Sequence, residues 1–325
     1  MKKNRLGRTE LKVSRIVLGG GWVGGLFIDP DLTVMEKALV KAIQSGVNWI
    51  DTAESYSEGQ SEKNIGLLLS SIKNNNIYIS SKARLEPISS ETIFSQLDRK
   101  IDESLERLNR SYIDLYQLHN RIEKVGTSRD FSALEITQRK GVLDSMEKLK
   151  SEGRIKNIGI TALGNIEPIK EVISTNGFDT AQIYYNLLNP SAAFNKKDQW
   201  DDHDFSGIIN HCLKNDMGIM CIRIFAAGYL ATDTRHGREI SVTEGINELE
   251  QNRRIEKLFE MLKNEKGTKA QIALRYGLSN KNLSCIVTGL AKIEHLDQII
   301  EADSLGPLNE EVIEKINFLH KSNFS

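Results

Sequence analysis

Little in this sequence points outward. Its 43 basic and 44 acidic side chains leave a formal net charge of −1, so no single-signed field draws it to nucleic acid or an acidic surface. Cysteine is scarce. Cys212, Cys221 and Cys285 cannot all pair, and none forms a metal-ligand spacing, which suits a reducing cytoplasm. No run approaches the roughly 18 apolar residues of a membrane span, and Met1-Lys2-Lys3-Asn4-Arg5 enters a turn without the apolar core of a signal peptide. Low-complexity segments are missing. So are a Ser or thiol nucleophile beside a base, a nucleophile elbow and a cluster of metal ligands. These absences leave a soluble protein that meets a small molecule, with no metal, and they set no oligomeric state.

What the chain has is rhythm. Short apolar runs bounded by turn residues recur at 16–18, 47–50, 77–82, 113–119, 157–161, 180–185, 218–223 and 284–288, and they predict buried strands. Between them, apolar residues return at helical spacing. Ile93, Leu97, Ile101, Leu105 and Leu108 mark a long amphipathic helix over about 90–109. Further helices are expected near 33–44, 61–69, 141–151, 166–174, 205–213, 252–278 and 293–302. Eight such units without an interdomain linker fit the α/β class as a single (β/α)8 TIM barrel, one domain over residues 1–325. The segment from Leu6 to Val13 alternates about Gly7 as an N-terminal β-hairpin. Leu308, Val312, Ile316 and Leu319 predict an extra C-terminal helix. Two longer insertions, 121–140 and 186–204, leave carboxyl ends of strands, where barrel active sites sit, and are expected to wall the substrate.

On a barrel, strand ends far apart in sequence converge on one pocket. Asp51 ends the second strand, Lys82 the third and His119 the fourth, with Tyr56 on the loop after the second. Alone, Asp51 reads as a helix cap and Tyr56 as a half-buried phenol. With Lys82 and His119 they form a proton-handling set. A phenol ordinarily titrates near pH 10; a neighbouring ammonium favours the phenolate, and a carboxylate holds that ammonium in place. The imidazole polarises a carbonyl oxygen. Proton donation to a carbonyl calls for an external hydride, and so for a nicotinamide cofactor.

Several segments, in order, resemble the aldo-keto reductase superfamily nearly end to end. They are Arg5-Leu6-Gly7-Arg8-Thr9 with Val13-Ser14, Asp51-Thr52-Ala53-Glu54-Ser55-Tyr56, the strand ending in Lys82, and Asp114-Leu115-Tyr116-Gln117-Leu118-His119. The resemblance implies a barrel that binds NADPH in extended form and interconverts carbonyl and alcohol on an aldehyde, ketone or sugar. It implies Tyr56 as general acid/base, Lys82 and Asp51 as the partners that tune it, and His119 as the carbonyl-orienting group. Segments 184–191 and 223–228 are similar to the branch containing aldose 1-dehydrogenases. The same superfamily holds channel β subunits, non-catalytic regulators that bind NADP(H). That role tolerates loss of the four residues, and this chain keeps them all. A lyase or isomerase using Lys82 as a Schiff base is the third possibility, opposed by Tyr56 and Asp51 at their spacing.

The cofactor contacts depart further from the family's pattern. Gln182 aligns with the glutamine that holds the nicotinamide carboxamide, while the usual Ser-Asn pair is Thr161-Ala162. Ile222 and Arg223 stand where a stacking Tyr and a Ser-Pro-Leu loop are usual. Arg223 reads either as a pyrophosphate ligand or as a salt bridge at the barrel rim. Gly228 keeps a close backbone approach. Thr288-Gly289-Leu290-Ala291-Lys292 resembles the adenosine-phosphate loop, with Gly289 at the ligand and Lys292 beside a 2′-phosphate, favouring NADP(H) over NAD(H). Gln298-Ile299 replaces the family's Glu-Asn at the adenine contacts. Finally, Gly19-Gly20-Gly21-Trp22-Val23-Gly24 matches G-x-G-x-x-G after a strand, but no helix opens at its last glycines. It reads instead as a loop carrying Trp22 to the pocket, as an apolar substrate wall or as a plug of the barrel mouth.

Overall fold

Eight parallel strands close on themselves in the computed structural model, which describes the chain apart from positions 30, 73–75, 195–200, 236, 241, 242, 244 and 246. In chain order the strands are β1 (Lys3–Arg5), β2 (Lys12–Ser14), β3 (Ile16–Gly19), β4 (Trp49–Asp51), β5 (Tyr78–Ala83), β6 (Leu115–Leu118), β7 (Ile122–Glu123), β8 (Phe131–Ser132), β9 (Ile158–Thr161), β10 (Thr180–Tyr184), β11 (Gly218–Ile222) and β12 (Cys285–Gly289). The ring runs β3-β4-β5-β6-β9-β10-β11-β12, and β12 returns to β3 with Ile286 opposite Ile16 and Gly289 opposite Gly19. Each expected barrel strand is present, with ends shifted by a residue or two.

The helices are α1 (Leu32–Gln44), α2 (Gln60–Ser71), α3 (Ile93–Leu108), α4 (Ala133–Thr137), α5 (Val142–Ser151), α6 (Ile166–Ser174), α7 (Ile208–Lys214), α8 (Glu248–Met261), α9 (Lys269–Ser279), α10 (Ile293–Leu305) and α11 (Glu310–Lys321). Local chemistry sets their ends. Thr92 caps α3 by accepting from the Ser95 N–H, and Asn109 ends it in the left-handed conformation. The stretch expected to supply helix over 252–278 is two helices. Gly267 turns the chain at φ +116°, and Thr268 with Gln271 forms a capping box that starts α9 afresh. The C-terminal helix is α11, with Ile316 and Leu319 buried as its pattern requires.

Side chains alternate across each strand, so the barrel interior fills in layers. The lower layer is apolar: Val17, Trp49, Leu115, Met220 and Cys285 pack with Leu6 and Val13. Leu6 and Val13 belong to the turn and second strand of the β1–β2 hairpin, which therefore closes the amino end of the barrel. The next layer up is polar, and it forms the floor of the site.

Candidate active site

Asp51, Lys82 and Gln117 are inward positions two residues above Trp49, Ser80 and Leu115 on their strands. The Lys82 ammonium is fully buried at the centre. It donates to Asp51 Oδ2 at 2.7 Å, to the Thr52 carbonyl at 2.6 Å and to the Tyr56 hydroxyl at 3.2 Å. Asp51 Oδ1 in turn accepts from Ser80 Oγ at 2.6 Å, Gln182 Nε2 at 2.7 Å and Gln117 Nε2 at 3.4 Å. Ser80 Oγ is itself fixed by the Trp49 indole N–H at 2.8 Å. Burial works against the Lys82 charge, but Asp51 and Tyr56 outweigh it and its pKa is raised. An ammonium with its donors committed in this way stays a cation. Because Lys82 donates to Tyr56, the phenol's own proton is left for another acceptor.

Tyr56 is half-buried, and its ring meets His119 edge-on with centroids 5.7 Å apart. His119 Nδ1 lies 3.3 Å from Ser55 Oγ. Burial, aided by the nearby charges of Lys82 and Arg84, holds the imidazole well below its ordinary pKa. His119 is therefore neutral at pH 7. A Ser55 hydroxyl that donates to Nδ1 leaves the imidazole proton on Nε2, where it can be given to a carbonyl oxygen. Thus the structure brings together all four residues expected at the strand ends. Ser80, Gln117 and Ser55 were missed. Ser80 and Gln117 share the inward parity of Lys82 and His119, a signal that period-two alternation already carries.

Above this floor lies a cavity of about 380 Å³ lined by Trp22, Asp51, Tyr56, His119, Thr161, Gln182, Ile222, Arg223, Gly228 and Gly289, among others. A second chamber of about 250 Å³ shares Phe225, Ala231, Thr232, Gly289 and His295 with the first and runs on to Thr268, Gln271 and Gln298. The two form one groove. Its waist depends on glycine: a Cβ on Gly24 would stand 2.6 Å from the Leu290 amide nitrogen. The loop 19–24 opens no helix at its last glycines; turns lead to a short 3-10 segment, Leu26–Ile28, and Trp22 sits at the mouth, 39% exposed.

Do these residues fit a nicotinamide dinucleotide? Gln182 spends its amide nitrogen on Asp51, so its carbonyl is the half that faces a ligand. Thr161 Oγ1 is buried in the cavity lining without a hydrogen-bond partner. An unsatisfied hydroxyl and a side-chain carbonyl beside Tyr56 match the donors and acceptor of a carboxamide. The shape and this polarity fit the cofactor.

The remaining expected residues are spread more widely. Lys292 is exposed and lines neither chamber. It is the extended residue before α10, and the cavity side is taken by Ala291 and His295 instead. Among the described residues Arg223 forms no ion pair at a rim. It lines the cavity, is half-buried, and donates to the Ile240 carbonyl at 2.6 Å from a backbone with φ +60°. Nor do the two insertions wall the cavity among the described residues. Segment 121–140 forms β7, β8 and α4, with Ile122 bonded to the 163–165 loop, and 195–200 of the other lies outside the described residues. The walls come from the loop 19–24 and from 222–240.

A parallel barrel with a buried Asp–Lys pair, a half-buried Tyr and a neutral His beneath a long groove fits a class: a (β/α)8 oxidoreductase of the kind that works with a dinucleotide. The Aldo/keto reductase family model matches residues 15–321, and the chain belongs to that family, whose enzymes are oxidoreductases using nicotinamide cofactors on small carbonyl compounds. It is similar to the oxidoreductase YqkF of Bacillus subtilis (strain 168), 25% identical over 97% of this chain and 95% of the relative. It is also similar to L-galactose dehydrogenase of Arabidopsis thaliana, 24% identical over 96% and 92% of the two chains. A solved aldo-keto reductase from Bacillus halodurans in its holo form shares the fold, with a TM-score of 0.76, 22% identity and coverage of 98% and 96%. No helix among the described residues is long and apolar enough to cross a membrane.

Proposed function

We propose that this chain interconverts a carbonyl and an alcohol on a small aldehyde, ketone or sugar, using a nicotinamide dinucleotide. The observation that carries this is the Lys82 ammonium, buried between Asp51 and Tyr56 at the floor of the groove. Bound with its carboxamide against Gln182 and Thr161, a nicotinamide supplies the hydride. Tyr56 gives its hydroxyl proton to the substrate oxygen during reduction and takes it back during oxidation. Lys82, held by Asp51, stabilises the negative charge that develops on the phenol oxygen. His119 donates a second hydrogen bond to the same substrate oxygen and orients it. Trp22 and Ile240, both lining the mouth, bound an apolar approach for the rest of the substrate. Full-length similarity to an L-galactose dehydrogenase supports an aldose among the substrates.

The test is Tyr56→Phe assayed against a panel of aldehydes, ketones and aldoses. We expect kcat to fall by about 10²–10⁴-fold, with dinucleotide binding retained because the phenolic proton makes no contact the cofactor needs. A Phe variant keeping more than roughly a tenth of the wild-type rate removes Tyr56 from the proton-transfer step.

A further inference from the structure

Given the proposal that a nicotinamide dinucleotide fills the groove, we infer that this chain selects NAD(H) over NADP(H), and that the distal chamber does the selecting. The reacting ring has to lie against Tyr56 and Gln182, so the adenosine end falls in the chamber beyond the shared wall. There the two cofactors differ by one group. NADP(H) carries a 2′-phosphate with a charge of about −1.5 to −2 near pH 7, whereas NAD(H) carries a hydroxyl that donates and accepts.

The chamber is built for the hydroxyl. Its polar lining consists of Thr232, Thr268, Gln271, Gln298 and His295, and no Lys or Arg lines it among the described residues. The undescribed positions of the segment after β11 are His236, Ser241, Val242, Glu244 and Ile246, again without Lys or Arg. Gln298 Oε1 accepts from Thr268 Oγ1 at 3.1 Å, which turns the amide nitrogen of Gln298 to other acceptors. Gln271 donates to Glu301 Oε2 at 2.8 Å, placing a carboxylate directly behind the wall. Two helix amino ends border the chamber: Glu294 already occupies the first turn of α10, and at α9 Thr268 and Gln271 cap the end while Lys269 is paired with Asp233 at 2.6 Å. Arg235, in the same segment, stacks on Tyr229 with its guanidinium carbon 4.3 Å from the ring centroid, and donates to the Thr232 carbonyl at 2.5 Å. A 2′-phosphate would enter a neutral pocket backed by an acid.

Binding without a carbonyl substrate tests this, followed by quenching of tryptophan fluorescence as NADH or NADPH is added to the full chain. NADH is expected to bind at least about tenfold more tightly. Ala291→Arg, at the groove wall beside His295, should tighten NADPH by roughly tenfold and change NADH by less than about threefold. NADPH binding as tightly as NADH, or more so, overturns the inference; loss of that tightness in Arg235→Ala would then identify Arg235 as the phosphate reader. If neither dinucleotide binds, the proposed function falls together with the inference. If both bind in the opposite order, only the inference falls.

Discussion

At the carboxyl ends of β4, β5 and β6 the groove depends on a network of side chains; beyond β11 and β12 its shape depends on backbone conformation as well. The first region is a lattice of mutual bonds in which Lys82, Asp51, Ser80, Gln182 and Gln117 each fix another. In the second, Gly24 and Gly289 approach one another, and Arg223, Ala226, Ala227 and Gly228 all adopt positive φ. The proton transfer proposed for the first region needs particular atoms held within a few tenths of an ångström, and only particular residues supply them. A groove for a long ligand needs a shape, and many sequences give the same shape.

Breaking the lattice should cost most. Asp51→Asn leaves the Lys82 charge buried without its counter-ion, and we expect a loss of about 3–5 kcal/mol in stability, read from the midpoint of urea unfolding. A loss below about 1 kcal/mol would mean the pair is not a buried ion pair in solution. Lys82→Met keeps the bulk and removes the charge. Asp51 still accepts from Ser80, Gln182 and Gln117. Its fold should survive while kcat drops by about 10²-fold or more, and Lys82→Arg should rescue little, because a planar fork does not replace a compact ammonium.

His119 gives a smaller, pH-dependent effect. Its folded pKa is depressed by burial, then by Lys82 and Arg84, so below pH 6.5 the unfolded chain binds a proton that the folded chain refuses. The stability this contributes is complete above pH 6.5 and is lost as pH falls from there toward the folded value, at most about 1.4 kcal/mol per pH unit. His119→Gln should flatten that slope. Identical slopes for wild type and variant would show an imidazole that protonates normally. Smallest of all, Ala227→Gly relieves a left-handed alanine at φ +59° on the backbone-built side. Since relief and lost chain stiffness oppose one another, stability should shift by less than about 1 kcal/mol. A larger loss would show that the Ala227 methyl packs as part of the groove.

The barrel was legible because buried parallel strands read as short apolar runs, and those runs alternate with helical spacing throughout. Asp51, Lys82 and His119 were legible because each terminates such a run. The split between α8 and α9 was hidden, since apolar residues continue at helical spacing on both sides of Gly267. Lys292 lies outside the lining for a local reason: it is the extended residue before α10 and exposed, while Ala291 before it and His295 in the first turn line the groove. A motif in sequence names the residues of such a loop without saying which of them turns inward. Insertion 121–140 misled differently: length suggested a wall, but β7 pairs with β8 and bonds through Ile122 to Leu163 and Asn165, and α4 is capped, so the segment packs away from the cavity.

The seam between β3 and β12 has a consequence for synthesis. Every residue of β3 is buried, and one edge of that strand waits for partners at 286–289. At the usual rate of elongation, that stretch of chain takes on the order of tens of seconds to emerge. Throughout that interval an apolar strand edge lies open on the nascent chain, ready to pair with a neighbour on the same message. Ribosome-bound chains halted before residue 285 should therefore associate with chaperones and precipitate when released, and chains extended past residue 289 should not.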